Sequence, residues 1–410
     1  MKWKNSAIIV NSLLCALMAN IAMADENHYD ELLIGDRATG MAGAYAAIAD
    51  DTAGLYYNPA GTVYSEDSNI SGSMNAFNVS TKNYKDVMGP GRDWQRVSSE
   101  LLPNFFGIVQ DFAGGKLGFS YAVIDSTLEN QDEVFENAQT PEGNWQEYAI
   151  NFNNQDKTIL IGPSFARQVN KKMSIGASLF LHYRQQERII HQFRVDAVNG
   201  TNRDSTNYAS TTEYGLQPKL GIIYSPQEKL SLGLTLNQTI LMSSDVVTQL
   251  TGPDSTSGVD YNFRVASESN EKRPYPVTLR SSVAYFVNKK LIIAGEVNYF
   301  AATNDNRNAI VNIAAGSEYY LKDNLALRGG IYTNNSTSPK LSSDKINQYE
   351  HIDYVGITGS VTRFSRSNAL SLGFQYAIGS GQAQVFGAEN VLQSVTASLF
   401  NVFMSASYSY

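Results

Sequence analysis

Residues 172–184 read KMSIGASLFLHYR, and apolar side chains occupy nearly every second position of this stretch. A period of two places successive side chains on opposite faces of a β-strand. The stretch therefore predicts a strand with one apolar and one polar face, on which Phe180 is the exception. The apolar positions are Met173, Ile175, Ala177, Leu179, Leu181 and Tyr183, and the polar positions are Lys172, Ser174, Gly176, Ser178, His182 and Arg184.

The same alternation recurs at residues 213–224, 230–237 and 370–378. A soluble β-sandwich would alternate too, because one face of each of its sheets meets water. The polar faces here carry small neutral residues instead of the lysine and glutamate of a water-exposed sheet. This composition favours a membrane barrel, whose strands alternate between lipid and lumen.

Connections between the predicted strands alternate in length, which also favours a barrel with short periplasmic turns and long outer loops. Short links fall at 168–172, 225–229, 288–290, 322–324 and 364–368, and long polar stretches fall at 125–157, 185–212, 241–273, 333–350 and 379–394.

Fourteen strand cores follow from this pattern, and we predict an all-β fold, a 14-stranded antiparallel transmembrane β-barrel at residues 67–410. Residues 147–152 could form a further element or an extension above the membrane. The last strand alternates up to Tyr410, like the C-terminal strands that outer-membrane insertion machinery recognises. The cores are 68–80, 101–112, 116–124, 158–169, 172–184, 213–224, 229–240, 275–287, 290–300, 310–321, 325–333, 352–362, 369–378 and 395–410.

The first 24 residues predict export. Lys2 and Lys4 precede an apolar run at 7–19, and Ala22-Met23-Ala24 resembles a signal peptidase site, so we expect a signal peptide at 1–24. A membrane anchor is disfavoured because polar residues interrupt the short apolar run. From residue 25 onward no run of 18 apolar residues could form a transmembrane helix.

Charge and cysteine content exclude several classes of protein. The chain has 31 lysines and arginines against 39 aspartates and glutamates, which disfavours nucleic-acid binding. Its single cysteine, Cys15, lies in the predicted signal peptide, so we expect no disulfide and no thiol nucleophile. We also expect no metal and no cofactor. The acidic stretch 125–136 could bind calcium between lipopolysaccharide phosphates, but a solvated loop is the preferred interpretation.

Residues 25–66 precede the first strand and predict a plug. A barrel of fourteen strands has a backbone radius of about 14 Å and would leak if its lumen were open. Residues 41–49 are rich in alanine and predict a short helix, and Thr52 could cap a second one. Asn58-Pro59 predicts a turn, since proline moves the preceding residue out of the helical region.

One combination of motifs is more specific than any single one. GDRATGMAGA at 35–44, the pair Asp50-Asp51 and YYNPAG at 56–61 together resemble the N-terminal hatch of FadL-type long-chain fatty acid transporters, a family that includes TodX-like aromatic hydrocarbon channels. The resemblance implies a small helical hatch in a fourteen-stranded barrel, with Asn58, Pro59 and Ala60 as the hatch motif. It also implies a lateral exit beside a kinked third strand.

The third predicted strand departs from that pattern. It contains Gly118 but no proline, and Gly114-Gly115 before it is the expected irregularity. Pro163 and Pro218 fall inside the fourth and sixth strands, where a missing N–H cannot face a free edge. We predict a local bulge or break at each proline, and a tolerated irregularity near the rim is preferred over a gate.

The resemblance implies passive uptake of hydrophobic compounds, with long-chain fatty acids first and aromatic hydrocarbons as an alternative. Cations inside the lumen could then meet a carboxylate headgroup. Arg37 in the hatch and Arg184, Lys219, Arg280 and Arg328 in the barrel are the candidates. The other interpretation is that they pair with Glu213, Glu296 and Glu318, which alternation directs to the same interior.

An enzyme would need a general base, and His182 projects inward without an accompanying nucleophile motif, so we predict no enzyme. A structural or secretion-associated barrel with a FadL-like fold and no lipid transport remains an alternative. The predicted location is the bacterial outer membrane, multi-pass, with outer-membrane lipid, lipopolysaccharide and the barrel insertion machinery as partners.

Overall fold

The computed structural model describes residues 27–29, 32–65, 68–253, 262–270, 272–304, 306–386 and 389–410. The predicted signal peptide at 1–24 lies outside the described residues. Within the described part of the chain, no helix has the length and apolar character to cross a membrane.

Two short α-helices, α1 (Asp36–Gly40) and α2 (Gly54–Tyr57), and a 3-10 helix (Pro59–Tyr64) precede the strands. The strands are β1 (Asn69–Tyr84), β2 (Trp94–Phe112), β3 (Gly115–Thr140), β4 (Gly143–Asn170), β5 (Met173–Asp196), β6 (Asn202–Gln227), β7 (Leu230–Asn237), β8 (Ile240–Pro253), β9 (Asn262–Ser269), β10 (Thr278–Asn288), β11 (Leu291–Phe300), β12 (Ile310–Lys322), β13 (Leu325–Asn334), β14 (His351–Phe364), β15 (Asn368–Ala383) and β16 (Gln393–Ser409).

Fourteen of these strands, β1–β7 and β10–β16, form a closed antiparallel barrel, which confirms the predicted fold class. Each strand pairs with its neighbours along this order, β7 pairs with both β6 and β10, and β1 pairs with β16 to close the ring. β8 continues upward beside β6 after β7 ends, and β9 pairs with β8. These two strands extend the wall above the barrel.

The outer surface of the barrel is apolar and the inner surface is polar. On β7, Leu234 is 43% exposed on the outside, whereas Thr235 is 1% exposed on the inside. Outward-facing Tyr214 and Tyr224 stand on β6 at a separation of about 25 Å along the barrel axis, the height of the apolar band of outer-membrane barrels. The protein is therefore a multi-pass transmembrane barrel of the bacterial outer-membrane type.

Three long polar stretches expected to be loops, 125–157, 185–212 and 241–273, are mostly strand, and the third of them contains β8 and β9. β3 and β4 form a hairpin that turns at residues 141–142, so 125–157 rises above the membrane as paired strands. Most of 185–212 likewise belongs to β5 and β6. The outward faces of these extensions are polar because they meet water, whereas inward side chains such as Tyr148 and Phe152 stay buried. The apolar outer face that marks the membrane strands is therefore lost although the backbones stay paired. Residues 147–152 are part of the β4 extension.

The expected helix at 41–49 is wrong. The helix lies earlier, at α1, and 41–49 forms turns in which Ala42 and Ala49 have positive φ angles of 57° and 47°. Contacts with the barrel wall override the helix propensity of alanine here. The capping role expected of Thr52 is also wrong, since its hydroxyl bonds Ser71 and the N-cap of α2 has no side-chain cap.

Candidate functional site

Residues 32–65, called the N-terminal segment below, lie inside the barrel. Its α1 contacts β13–β16, and its 3-10 helix contacts β3–β6. Close packing depends on glycines in the wall: a Cβ at Gly233 would collide with the carbonyl of Ala46, and one at Gly316 with Met41. Small residues on both sides therefore let the backbone of the segment lie directly against the wall.

Arg37 anchors one side of the N-terminal segment. Its guanidinium donates to both carboxylate oxygens of Glu318 on β12, at 2.9 and 2.8 Å, and also bonds Asp50. Arg328 on β13 donates to the same carboxylate at 2.5 Å. Two wall residues and the segment thus share one buried ion network, in which bidentate geometry fixes the orientation of α1.

Glu296 on β11 anchors the other side. Its carboxylate accepts the backbone N–H groups of Tyr45 at 3.1 Å and Ala46 at 2.9 Å, and the guanidinium of Arg280 at 2.7 Å. Arg280 also lies 5.0 Å from the centre of the Tyr57 ring. The carboxylate therefore satisfies backbone donors that a helix at 41–49 would have satisfied internally.

The Asn-Pro-Ala motif is a clamp between the segment and the wall. The amide of Asn58 donates to the carbonyls of Ala46 at 2.7 Å and Ile222 at 3.1 Å, and its oxygen caps the 3-10 helix through Ala60 N–H. Ser174 of β5 donates to the Ala60 carbonyl at 2.8 Å. With φ of −155°, Asn58 has the extended backbone that Pro59 requires.

The remaining candidate cations face the lumen as alternation indicated, and each has protein partners. Arg184 donates to Asp156 at 2.9 and 2.5 Å and lies 3.8 Å from Glu213. Lys219 donates to the Tyr56 carbonyl and lies 4.3 Å from the centre of its ring. Asp156 lies in the stretch 125–157, which the sequence predicts to be a loop, so the sequence does not indicate this partner.

A small cavity lies beside the N-terminal segment. A cavity of about 20 Å³ is lined by Leu32, Leu33, Tyr57, Arg280 and Tyr332 among others. A water molecule needs about 10–15 Å³ by this kind of measure. A hydrocarbon must therefore displace side chains in order to occupy this cavity.

The outer mouth is closed by aromatic side chains. Trp94 stands edge-on to Phe152 at 5.7 Å and stacks on Tyr84 at 5.5 Å. The Arg96 guanidinium lies 4.3 Å from the centre of the Phe152 ring while donating to Glu129 at 3.0 and 2.6 Å. This cluster, which the sequence did not single out, is buried at the top of the lumen, where Trp94 and Phe152 are at most 2% exposed.

The backbone ladder between β2 and β3 is interrupted, and the interrupted stretch of this seam is called a slit below. Backbone pairing rises to Phe105 opposite Ala122, stops, and returns at Ser98 opposite Glu129 in the same register. Between these pairs the strand ladder across this seam is interrupted. The slit begins about 20 Å above the periplasmic turn, in the outer half of the apolar band.

Irregular residues on both strands explain the slit. Pro103 lies within it on β2 and has no N–H for a ladder, and β3 has a bulge at Ile124, where its register against β4 shifts. The expected irregularity at Gly114-Gly115 is wrong, because Gly114 belongs to the turn before β3. Pro103 lies inside a predicted strand, as Pro163 and Pro218 do, so the sequence contains the same signal of irregular pairing at this position.

At Pro163 and Pro218, backbone pairing is interrupted on one edge of the strand and continuous on the other. At Pro163, pairing with β3 is continuous, while pairing with β5 omits Gly162 and Pro163 without a change of register. At Pro218, pairing with β5 is continuous, while the other edge of β6 changes partner from β7 to β8 between Lys219 and Leu216.

Leu32 fills the β2–β3 slit from inside. Its N–H donates to the Ile124 carbonyl at 3.4 Å, and its buried side chain packs against Leu102 and Val123. The same residue lines the lumen cavity. Leu32 therefore lies between the cavity and the slit, a relationship that no sequence motif signals.

Solved structures of the same fold are channels and transporters. The P. putida toluene transporter TodX is 13% identical with a TM-score of 0.65, covering 95% of this chain and 99% of its own. A Pseudomonas aeruginosa FadL homologue is 10% identical with a TM-score of 0.64, covering 93% and 99%. The CymD monoaromatic hydrocarbon channel is 15% identical with a TM-score of 0.60, covering 92% and 97%.

No family model matches the sequence, and a search of curated proteins finds no match. At these identities the likeness to solved structures defines the fold of the chain.

Proposed function

We propose that this chain, which has the fold of the FadL-type transporters, is a passive outer-membrane channel for uptake of hydrophobic compounds. Ligands would enter past the aromatic mouth, rest above the N-terminal segment, which serves as a hatch, and leave through the β2–β3 slit into the membrane. The observation that carries the proposal is the position of Leu32 between the cavity and the slit.

The driving force in this proposal is burial of apolar surface. Each methylene removed from water contributes about 0.8 kcal/mol. A ligand gains this free energy of burial in the lumen and keeps it when the ligand passes sideways into lipid. Passage through the N-terminal segment would instead return the ligand to water, and the free energy would be lost. A lateral route therefore needs no energy source beyond the gradient of the ligand.

Two substrate classes fit this route. Long-chain fatty acids are the first, because Arg280 lines the cavity and could receive a carboxylate beside the Tyr57 ring. Uncharged hydrocarbons are the second, and the pairing of Arg280 with Glu296 favours them, since a carboxylate ligand would have to compete with an internal one.

A disulfide tests the exit. The contact between Leu32 N and Ile124 O places the two Cα atoms about 6 Å apart, within the range that a disulfide spans. Oxidised L32C/I124C protein should lose uptake of both oleate and toluene by at least tenfold, and reduction should restore it. The single variants are the controls. Equal uptake in the oxidised and reduced states would refute lateral exit through this slit.

A second variant separates the ligand classes. Arg280→Met should weaken oleate binding about tenfold and leave toluene binding unchanged if a carboxylate reaches Arg280. Arg328→Met is the matched control, because Arg328 is equally buried and paired but does not line the cavity. Unchanged oleate binding in Arg280→Met would assign the channel to uncharged compounds or exclude Arg280 as the headgroup partner.

We also propose that the insertion machinery recognises β16. This strand closes the barrel against β1, and Tyr408 and Tyr410 stack at 6.1 Å at its exposed end. Removing Tyr410 should slow membrane assembly, measured by heat-modifiable migration in gels, without changing the fold of molecules that do assemble.

A further inference from the structure

Strand pairing is interrupted and then resumes at a second seam of the wall, as it does between β2 and β3. β7 pairs with β10 up to Asn237 opposite Thr278, and β8 pairs with β9 from Val246 opposite Ser269 onward, in the same register. Among the described residues, no backbone pair joins the two intervening segments, 238–245 and 272–277. These segments border a second slit, five strands around the barrel from the first.

Irregular backbone keeps this seam from closing as a ladder. Pro218 on β6 lies where the neighbouring chain passes from β7 to β8, and Met242 forms a bulge opposite Tyr214 and Gly215. On the other side, Pro274 and Pro276 have no N–H to donate. Strand pairing therefore cannot seal the wall at this height.

The side chain of Tyr275 fills the slit instead. Its hydroxyl donates to Glu213 at 2.7 Å, and its ring stands edge-on to His182 at 5.0 Å. The Arg273 guanidinium lies 4.5 Å from the centre of the ring, and Gln238 donates to the Tyr275 carbonyl at 3.2 Å. Glu213 and His182 belong to the inner wall, so Tyr275 reaches from the seam into the lumen.

The second slit lies at the outer edge of the apolar band. Tyr214, on the outer side of that band, pairs with Ser243 of β8 beside the slit. Its rim is apolar and faces outward, with Ile240 55%, Met242 64% and Val277 40% exposed. The membrane in front of the slit is therefore the boundary between hydrocarbon and headgroups of the outer leaflet.

We propose that this slit is a second lateral opening, closed by Tyr275, through which hydrophobic compounds dissolved in the outer leaflet reach the lumen. The proposal rests on the proposed uptake function and adds an entrance from lipid to the entrance from water. Swinging Tyr275 off Glu213 opens the seam without unpairing any strand. Entry and exit then lie at different seams of the same barrel.

Thiol labelling in the full chain tests the opening. Ser244 on β8 is opposite Glu213 and is 1% exposed, so Ser244→Cys places a thiol behind the slit. The control is Ser282→Cys, a buried lumen position on β10 that is paired on both sides. The probes are N-dodecylmaleimide dissolved in liposomes and a sulfonated maleimide added to the outside water.

With Tyr275→Ala, the rate of reaction of Ser244→Cys with the dodecyl reagent should rise at least tenfold, and that of Ser282→Cys should stay the same. Tyr275→Phe, which loses only the hydroxyl, should give a smaller rise. An unchanged rate at Ser244→Cys would overturn the proposal, as would equal acceleration at both positions or by the sulfonated reagent.

The labelling experiment and the transport experiment test the two proposals independently. The labelling rate reports an opening toward lipid whether or not any compound is carried. Uptake that is insensitive to the disulfide between Leu32 and Ile124 would instead count against the proposed exit and leave the labelling result intact.

Discussion

Replacing Glu296 with alanine should release one side of the N-terminal segment from the barrel. The carboxylate accepts two backbone N–H groups, from Tyr45 and Ala46, in addition to the guanidinium of Arg280. A hydrogen bond to a charged group contributes about 1.5–3 kcal/mol, so loss of the two backbone bonds should weaken local docking by about 3–6 kcal/mol. The lower figure corresponds to a factor of about 100 in the docking equilibrium.

Hydrogen exchange measured by mass spectrometry reports the weakened docking directly, because Glu296 accepts hydrogen bonds from the exchanging amides of Tyr45 and Ala46. Protection in residues 41–50 should fall about 100-fold in Glu296→Ala and less in Glu296→Gln, which keeps an acceptor oxygen. Glu228→Gln, at the exposed turn before β7, is the control and should leave protection unchanged. Unaltered exchange in Glu296→Ala would refute the role of this carboxylate as an anchor.

Three other outcomes follow from the packing. Gly61→Ala should dislodge the N-terminal segment, because a Cβ there would collide with Ala49, and faster proteolysis of the segment in folded protein would show it. Leu234→Lys, on the lipid face, should destabilise the barrel by about 2–4 kcal/mol in urea titrations in liposomes, whereas a lysine in an outer loop should have no effect. Phe152→Ala removes the ring beneath Arg96 and should weaken ligand capture at the outer mouth several-fold, with toluene binding by intact protein as the measurement.

The barrel could be predicted from sequence because its environment imposes a simple pattern. Lipid outside and a polar lumen inside produce alternation with a period of two, as in β7, where Leu234 and Thr235 face opposite ways. The pattern ends where lipid ends. The outward faces of the upper parts of β3–β6 meet water instead of lipid, so their sequences lack the apolar outer face and predict loops, although inward side chains such as Tyr148 and Phe152 are buried.

The conformation of the N-terminal segment, in contrast, could not be predicted from its local sequence. Its composition indicated a compact element, yet the backbone of 41–49 is set by partners more than 180 positions away, such as Ser231, which donates to the Ala47 carbonyl. Local propensity cannot anticipate such contacts. Neither slit could be predicted from the sequence, although Pro103 and Pro218 each mark a strand that cannot pair fully. Leu32 and Tyr275, which fill the slits, carry no motif at all.

The most direct test of lateral exit is the position of a bound ligand. Crystals grown with 1-bromododecane would locate the bromine by anomalous diffraction. The account predicts bromine in the lumen beside Leu32 and in the wall between Pro103 and Ile124. Bromine found on the periplasmic side of the N-terminal segment, with none in the wall, would contradict it.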